Sequence, residues 1–280
     1  MSNLTQLAPD RTEPPLHAAI HNAVEIMRDR YAEPITLNDL AAEVFVSPFH
    51  FSRMFAKATG STPGRFLTAV RIFEAKRLLL DTTMTVSDIV CSVGYSSVGT
   101  FTSRFSRAVG MSPSQYRSAR IRDLTVALAP GRCAMPPATA LADAAATGRP
   151  RIGGRITARV ELPAALGPAT LLVGAFHEAI PQRAPVAFAT VGHTGSTTIT
   201  LDGVPAGHWL VLAVAEHASG TVSVGVGPGR ISTDGRDLAV ATARLRPMAS
   251  TMPPMAFTLA GAGSGAQAPA AAVRSLHAAA

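Results

Sequence analysis

From about His17 to residue 122, apolar positions recur three and four residues apart; from Ile152 onward they alternate with polar ones. The first spacing predicts helices and the second predicts strands. Phe51 with Phe55, and Phe101 with Phe105, are i, i+4 pairs that set two rings on one helical face. The punctuation between them agrees. Thr36-x-x-Asp39 and Thr85-x-x-Asp88 have the form of capping boxes, in which hydroxyl and carboxylate satisfy amides that a helix start leaves unpaired. Ser47-Pro48 reads as an N-cap followed by proline at the first helical position, and Gly60 and Gly110 read as helix stops.

These signals repeat. Ile35-Thr36-Leu37-Asn38-Asp39-Leu40 is answered by Met84-Thr85-Val86-Ser87-Asp88-Ile89, Val44 by Val93, and Ser47 and Ser96 each open a second helix. The second copy then carries one extra residue before Phe101. Further on, Thr62-Pro63-Gly64-Arg65-Phe66 pairs with Ser112-Pro113-Ser114-Gln115-Tyr116. Gly94 suits a sharp turn with left-handed backbone. Two short helices, a tight turn and an apolar stripe on the second helix make a helix-turn-helix, here in two copies. A leading helix over residues 17–30 precedes them. Between the copies, residues 63–80 read as a helix spanning roughly 27 Å, with Phe66, Val70, Phe73 and Leu78 on one stripe and Arg71, Lys76 and Arg77 away from it.

In the second half, Ile156, Ala158, Val160 and Leu162 alternate with Arg155, Thr157, Arg159 and Glu161, a half-buried strand. Further strands are expected at 170–176, 186–191, 197–201, 208–215, 221–226 and 237–245. Residues 208–215 (HWLVLAVA) are apolar on both faces and should be central. The fold expected is an all-α double helix-turn-helix domain over 15–122, then an antiparallel β-sandwich-like domain over 152–246. Residues 1–14 are expected to be disordered, the small, proline-bearing stretch 123–151 to be a linker, and the low-complexity tail 247–280 to be disordered.

Charge sharpens this division. Lys+Arg number 25 against Asp+Glu 18, a net charge of +7. All the basic residues but Lys57 and Lys76 are arginines, which with the abundant alanine looks like a coding bias and weakens arginine count as evidence. Their placement says more: residues 44–122 hold eleven Lys and Arg against three Asp and Glu, a local excess that favours an anionic partner.

The stretch from about Ile35 to Arg117 resembles the paired helix-turn-helix DNA-binding domain of the AraC/XylS family of transcription regulators. The second unit, DIVCSVGYSSVGTFTSRFSRAVGMSPSQYR, carries that family's signature nearly end to end, including the Gly-x-Ser-Pro ending. The resemblance covers roughly a third of the chain plus the leading helix. It implies a regulator, of the activator kind, whose recognition helices enter two successive major grooves of double-stranded DNA, with RNA polymerase as a further partner. Phe49, Ser52 and Arg53 match family positions that contact bases; Arg53 suits a bidentate pair with guanine and Phe49 a thymine methyl. The corresponding positions of the second copy hold Val98, Gly99, Thr102 and Ser103, where relatives often have amides and an arginine, so this copy should read sequence weakly. His50, Lys57, Arg71, Arg104 and Arg107 are the phosphate candidates.

Most such regulators place a ligand domain, often a cupin barrel, before the DNA-binding domain. Here the order is reversed and the β half does not read as a cupin, so a small-molecule effector site rests on architecture alone. The turn from Leu201 to Trp209 weakly resembles carboxypeptidase-regulatory or prealbumin-like sandwiches, which implies no ligand. The competing reading is a protein-interaction module; a bifunctional enzyme is a more distant one. No catalytic residue, metal site or cofactor is expected. His177-Glu178 has no second histidine four residues on, and no Gly-x-Ser-x-Gly elbow or phosphate-binding glycine loop occurs. Cys133 stands in Arg-Cys-Ala-Met rather than the Pro-Cys-His-Arg setting of methyl-accepting repair proteins. With two cysteines, no apolar run near the roughly 18 residues of a membrane helix and no signal-peptide pattern at the start, a cytoplasmic, reduced protein is expected.

Overall fold

The computed structural model describes residues 13–147, 153–234 and 238–262. Its first half runs α1 (Glu13–Asp29), α2 (Leu37–Glu43), α3 (Pro48–Thr59), α4 (Pro63–Asp81), α5 (Val86–Ser92), α6 (Val98–Val109), α7 (Pro113–Tyr116) and α8 (Ala119–Asp123). Both capping boxes form: the Thr36 and Thr85 hydroxyls accept from the Asp39 and Asp88 amides, and each carboxylate accepts from the threonine amide in return. Helices α3 and α6 both end on a left-handed glycine, Gly60 and Gly110. The cap of α6 is Ser97, not Ser96; this one-residue offset is the extra residue of the second copy.

Each helix-turn-helix builds the same aromatic trio. Phe51, Phe55 and Phe66 pack in the first, with ring centroids 5.5 and 5.4 Å apart; Phe101, Phe105 and Tyr116 pack in the second, at 5.4 and 5.7 Å. Helix α4 serves both. It gives Phe66, Leu67 and Val70 to the first core, Ile72, Ala75, Leu79 and Leu80 to the second, and Phe73 to a third contact with Ala129 and Ala256. The single apolar stripe expected for this helix is therefore corrected: α4 is buried on nearly every face, and Lys76 is 1% exposed.

The other half packs in layers. A central sheet has the order β11 (Arg246–Pro247), β8 (Val222–Val226), β7 (Gly207–His217), β4 (Ala169–Phe176), β5 (Ala187–His193), with β9 (Ile231–Thr233) also pairing β7. A second sheet has the order β10 (Leu238–Arg244), β3 (Gly154–Glu161), β6 (Thr197–Val204). Ile156, Ala158 and Val160 of β3 share a core with Leu171, Val173, Val211 and Ala213 of the central sheet. The opposite face, with Leu172, Phe176, Phe188, Leu212 and Val214, is covered by Val126, Leu128, Leu141 and Phe257. Strands β4 and β7 are thus covered on both sides, as the unbroken apolar run at 208–215 implies.

Three expectations change. The pairing is not all antiparallel, because β10 runs parallel to β3, with Leu238 opposite Arg155. The stretch expected to be a linker carries β1 (Thr125–Ala129), β2 (Arg132–Ala134) and α9 (Ala138–Thr147). The tail carries β11 and β12 (Met255–Thr258) up to Ala262, and α1 takes in Glu13 and Pro14 of the expected disordered start at 1–14; the rest of both stretches, residues 1–12 and 263–280, lies outside the described residues. The reason is nonlocal pairing. Strand β1 pairs with β12, Thr125 opposite Thr258, and four small or apolar residues following two prolines look like low complexity until that partner is known.

Strand β12 also brings the β half against α4. The Lys76 ammonium donates to the Gln182 backbone oxygen and side-chain oxygen, both at 2.8 Å, and to the Ala256 oxygen at 2.5 Å, with the Tyr116 ring 5.6 Å away. Arg28 of α1 donates to the Met252 oxygen at 3.2 Å, and Arg183 of the β half donates to the Arg107 and Ala108 oxygens at the end of α6. Burial holds the Lys76 pKa well below the ordinary lysine value. A depressed folded pKa makes stability grow as pH rises toward the unfolded lysine range near ~10.4 and decline as pH falls. Lys76→Met, which leaves three buried acceptors unpaired, is expected to cost about 3 kcal/mol in urea unfolding at neutral pH. The gap between wild type and variant should widen from about pH 7 to about pH 10, because only the wild type gains.

Candidate nucleic-acid interface

The face of α3 opposite Phe51 and Phe55 presents Phe49, 74% exposed, and Arg53, with Ser52 half-buried between them. The Arg53 guanidinium lies 5.8 Å from the Phe49 ring centre, close enough for a cation–π contact that holds both side chains outward. Among the described residues Arg53 makes no ion pair. His50 and Lys57 are exposed on the same helix. The start of α3 is fixed by the Ser47 hydroxyl, which accepts from the His50 amide at 3.3 Å.

On α6 the matching surface holds Val98, Gly99 and Ser103, all exposed, and half-buried Thr102, with Arg104 and Arg107 exposed beyond them. No long polar side chain stands where α3 has Arg53. The two helices share a scaffold and differ in what they offer.

The basic excess divides into two groups. Arg71, expected to meet phosphate, is instead half-buried: its guanidinium donates to the Tyr31 and Glu33 oxygens, each at 2.7 Å, and lies 5.8 Å from the Tyr95 ring centre. It clamps the α1–α2 connection onto α4, and burial lowers its pKa. Arg77 pairs with Glu74 at 2.7 Å, Arg117 donates to the Thr82 and Met84 oxygens, and Arg122 donates to the Leu80 oxygen. With Lys76 buried, the basic side chains left exposed between residues 44 and 122, apart from Arg122, are Arg53, Lys57, Arg65, Arg104, Arg107 and Arg120. Arg65, at the start of α4, and Arg120 were not singled out from the sequence.

Phe45 was also missed. It occupies the turn of the first helix-turn-helix with φ 56° and is 95% exposed. A left-handed phenylalanine is strained. The signal was the repeat itself: the matching residue is Gly94, φ 76°, where an added Cβ would stand 2.8 Å from the Ala32 oxygen. The second turn abuts backbone and takes only glycine, whereas the first is open and tolerates a ring.

Three histidines of the β half meet neighbouring side chains. The His177 ring packs 4.3 Å from Trp209, the His208 Nδ1 is 2.7 Å from the Ser232 hydroxyl, and buried His217 is 3.0 Å from the Ser223 hydroxyl. Among the described residues no three His, Cys, Asp or Glu side chains are placed to hold a metal ion, and no helix is long and apolar enough to cross a membrane. The Cys133 thiol donates to the Ala129 oxygen, and burial raises its pKa.

Residues 40–119 match the family model described as a helix-turn-helix domain. Over 98 residues the chain is 34% identical to the lactose operon transcription activator of Staphylococcus xylosus, covering 35% of this chain and 35% of that protein. Over 89 residues it is 35% identical to the melibiose operon regulatory protein of Escherichia coli K12, covering 32% and 30%. Over 93 residues it is 31% identical to the bifunctional transcriptional activator/DNA repair enzyme AdaA of Bacillus subtilis, covering 33% and 44%. Among solved structures it is similar to the C-terminal domain of AraT, a response regulator from Geobacillus stearothermophilus, with 31% identity, 38% of this chain and 86% of that one covered, and a TM-score of 0.35. It is also similar to the DNA-binding domain of AdpA solved with a target DNA, with 30% identity, 39% and 94% covered, and a TM-score of 0.34.

Residues 40–119 form an AraC-type helix-turn-helix domain. The chain spans about a third of the length of the lactose operon activator and of the melibiose operon regulatory protein. The turn strain in that domain is testable by urea unfolding. Phe45→Gly is expected to raise stability by about 0.5–1 kcal/mol, relief of the left-handed strain outweighing the added chain entropy. Gly94→Ala is expected to cost roughly 2 kcal/mol or more.

Proposed function

We propose that the whole chain is a sequence-specific DNA-binding transcription regulator whose α3 and α6 enter successive major grooves of one asymmetric site. The observation that carries this reading is the mounting of both recognition helices on α4, each with its rings buried and its polar face outward. A helix of 19 residues spans ~28 Å, near the roughly 34 Å of one DNA turn. Phe49, Ser52 and Arg53 read bases from α3. Val98, Gly99, Thr102 and Ser103 give α6 a short, weakly discriminating surface, with His50, Lys57, Arg104 and Arg107 at phosphates. Arg65 and Arg120 join them, and Arg71 leaves the set because its donors are held by backbone oxygens.

The β half, a sandwich-like module, regulates rather than catalyses in this reading, and the protein acts in the cytoplasm alongside RNA polymerase. Regulation by an effector is favoured over a passive docking module by the direct contacts the β half makes with α1, α4 and α6, because a docked module can alter the recognition helices and a free tether cannot.

Site selection with the full chain, followed by fluorescence anisotropy on the selected duplex, tests this. Arg53→Ala is expected to weaken binding by about 1–3 kcal/mol and to relax preference in one half of the site. Ser103→Ala is expected to stay within about 0.5 kcal/mol. Affinity should fall steeply with salt, as counterions are released from phosphates. Equal information in both half-sites would contradict unequal readout, and no preference over random duplex would overturn the function.

A further inference from the structure

A groove of about 370 Å³ lies where the end of α3 meets the β half. One wall is Thr59 and Gly60; the others come from Ile180 between β4 and β5, Val226 on β8, and Arg246, Met248 and Met252 at and after β11. Its size is in the range of small-molecule sites. The lining is mainly apolar, and Val226 leaves 39% of its surface exposed there. Methionine side chains are unbranched and adapt to the outline of whatever they cover. At Gly60 the space where a side chain would begin is open, with no atom within 4 Å.

The polar groups around the groove narrow the chemistry. The Thr59 hydroxyl is committed, donating to the Phe55 oxygen at 2.9 Å and accepting from the Ser61 amide. Arg246 is exposed, and among the described residues it takes part in no ion pair. Arg246 is the one charged residue in the lining of this apolar trough, and such a lining selects a molecule with an apolar body and one anionic end. The planar fork of arginine fits a carboxylate with two parallel hydrogen bonds.

We propose that this groove binds small apolar carboxylates and that occupancy changes how α3 engages DNA. The coupling is geometric: a molecule in the groove touches the C-terminal cap of the first recognition helix on one side and the β11–β12 connection on the other. That connection is tied to α1, where Arg28 donates to the Met252 oxygen and His21 lies 3.3 Å from the Ser250 hydroxyl. A ligand therefore bears on the recognition helix that offers Arg53 more directly than on α6. This inference rests on the DNA-binding reading above, so its test measures the two separately.

The probe is decanoate, kept below the concentration at which it forms micelles, with decanol as its uncharged counterpart, applied to the full chain. Decanoate is expected to raise Tm in a saturable way and to bind at least tenfold more tightly than decanol. Arg246→Gln, a change at an exposed site, should abolish that preference while leaving decanol unchanged. Val226→Trp, which fills the groove, should abolish binding of both. Saturating decanoate should shift wild-type affinity for the selected duplex at least fivefold and leave Val226→Trp unmoved; should that variant fail to fold, the Arg246→Gln comparison decides. Equal binding of decanol and decanoate, undiminished decanoate binding by Arg246→Gln, or no saturable effect would overturn the site while DNA binding without decanoate stood. Loss of DNA preference in the untreated wild type would overturn the functional reading instead.

Discussion

Helix α4 must be covered on nearly every side at once, and the rest of the molecule is arranged to do it. Its first turns complete the Phe51–Phe55–Phe66 core, its later turns complete the core of the second copy, and Phe73 and Lys76 face the β half. No single helix-turn-helix can satisfy such a helix. The two copies and strand β12 close around it, and this fixes the two recognition helices relative to each other. Lys76 raises the stakes at that junction: a fully buried ammonium is costly unless its donors are met, and here three oxygens from two separate segments of the β half meet them.

The helical half was legible because its instructions are local. Capping boxes, helix-stop glycines and i, i+4 ring pairs each lie within a few residues, and the repeat states them twice. The central strand β7 was legible for the same reason, as an unbroken apolar run. What could not be read was set by distant partners. Strand β1 makes sense only against β12, and the parallel pairing of β10 with β3 leaves no mark on either strand alone.

The candidate site followed the same rule. Phe49 and Arg53 stand outward because the stripe of their own helix places the core on its other side. Arg71 and Lys76 look alike in sequence, basic residues on a helix in a positive segment, yet both are taken up by backbone oxygens more than thirty residues away. Charge count alone therefore overstates the electrostatic face. The positive surface that remains is smaller and lies on α3, α6 and the segments flanking them, with the long exposed side chain of Arg53 on α3 and no counterpart to it on α6.

A helix shared by both recognition units and the β half makes the protein one cooperative body instead of two tethered domains. Scanning calorimetry of the full chain tests that most directly. One transition, with calorimetric and van't Hoff enthalpies in agreement, is the result this account requires. Two separable transitions, the helical half melting independently of the β half, would contradict it.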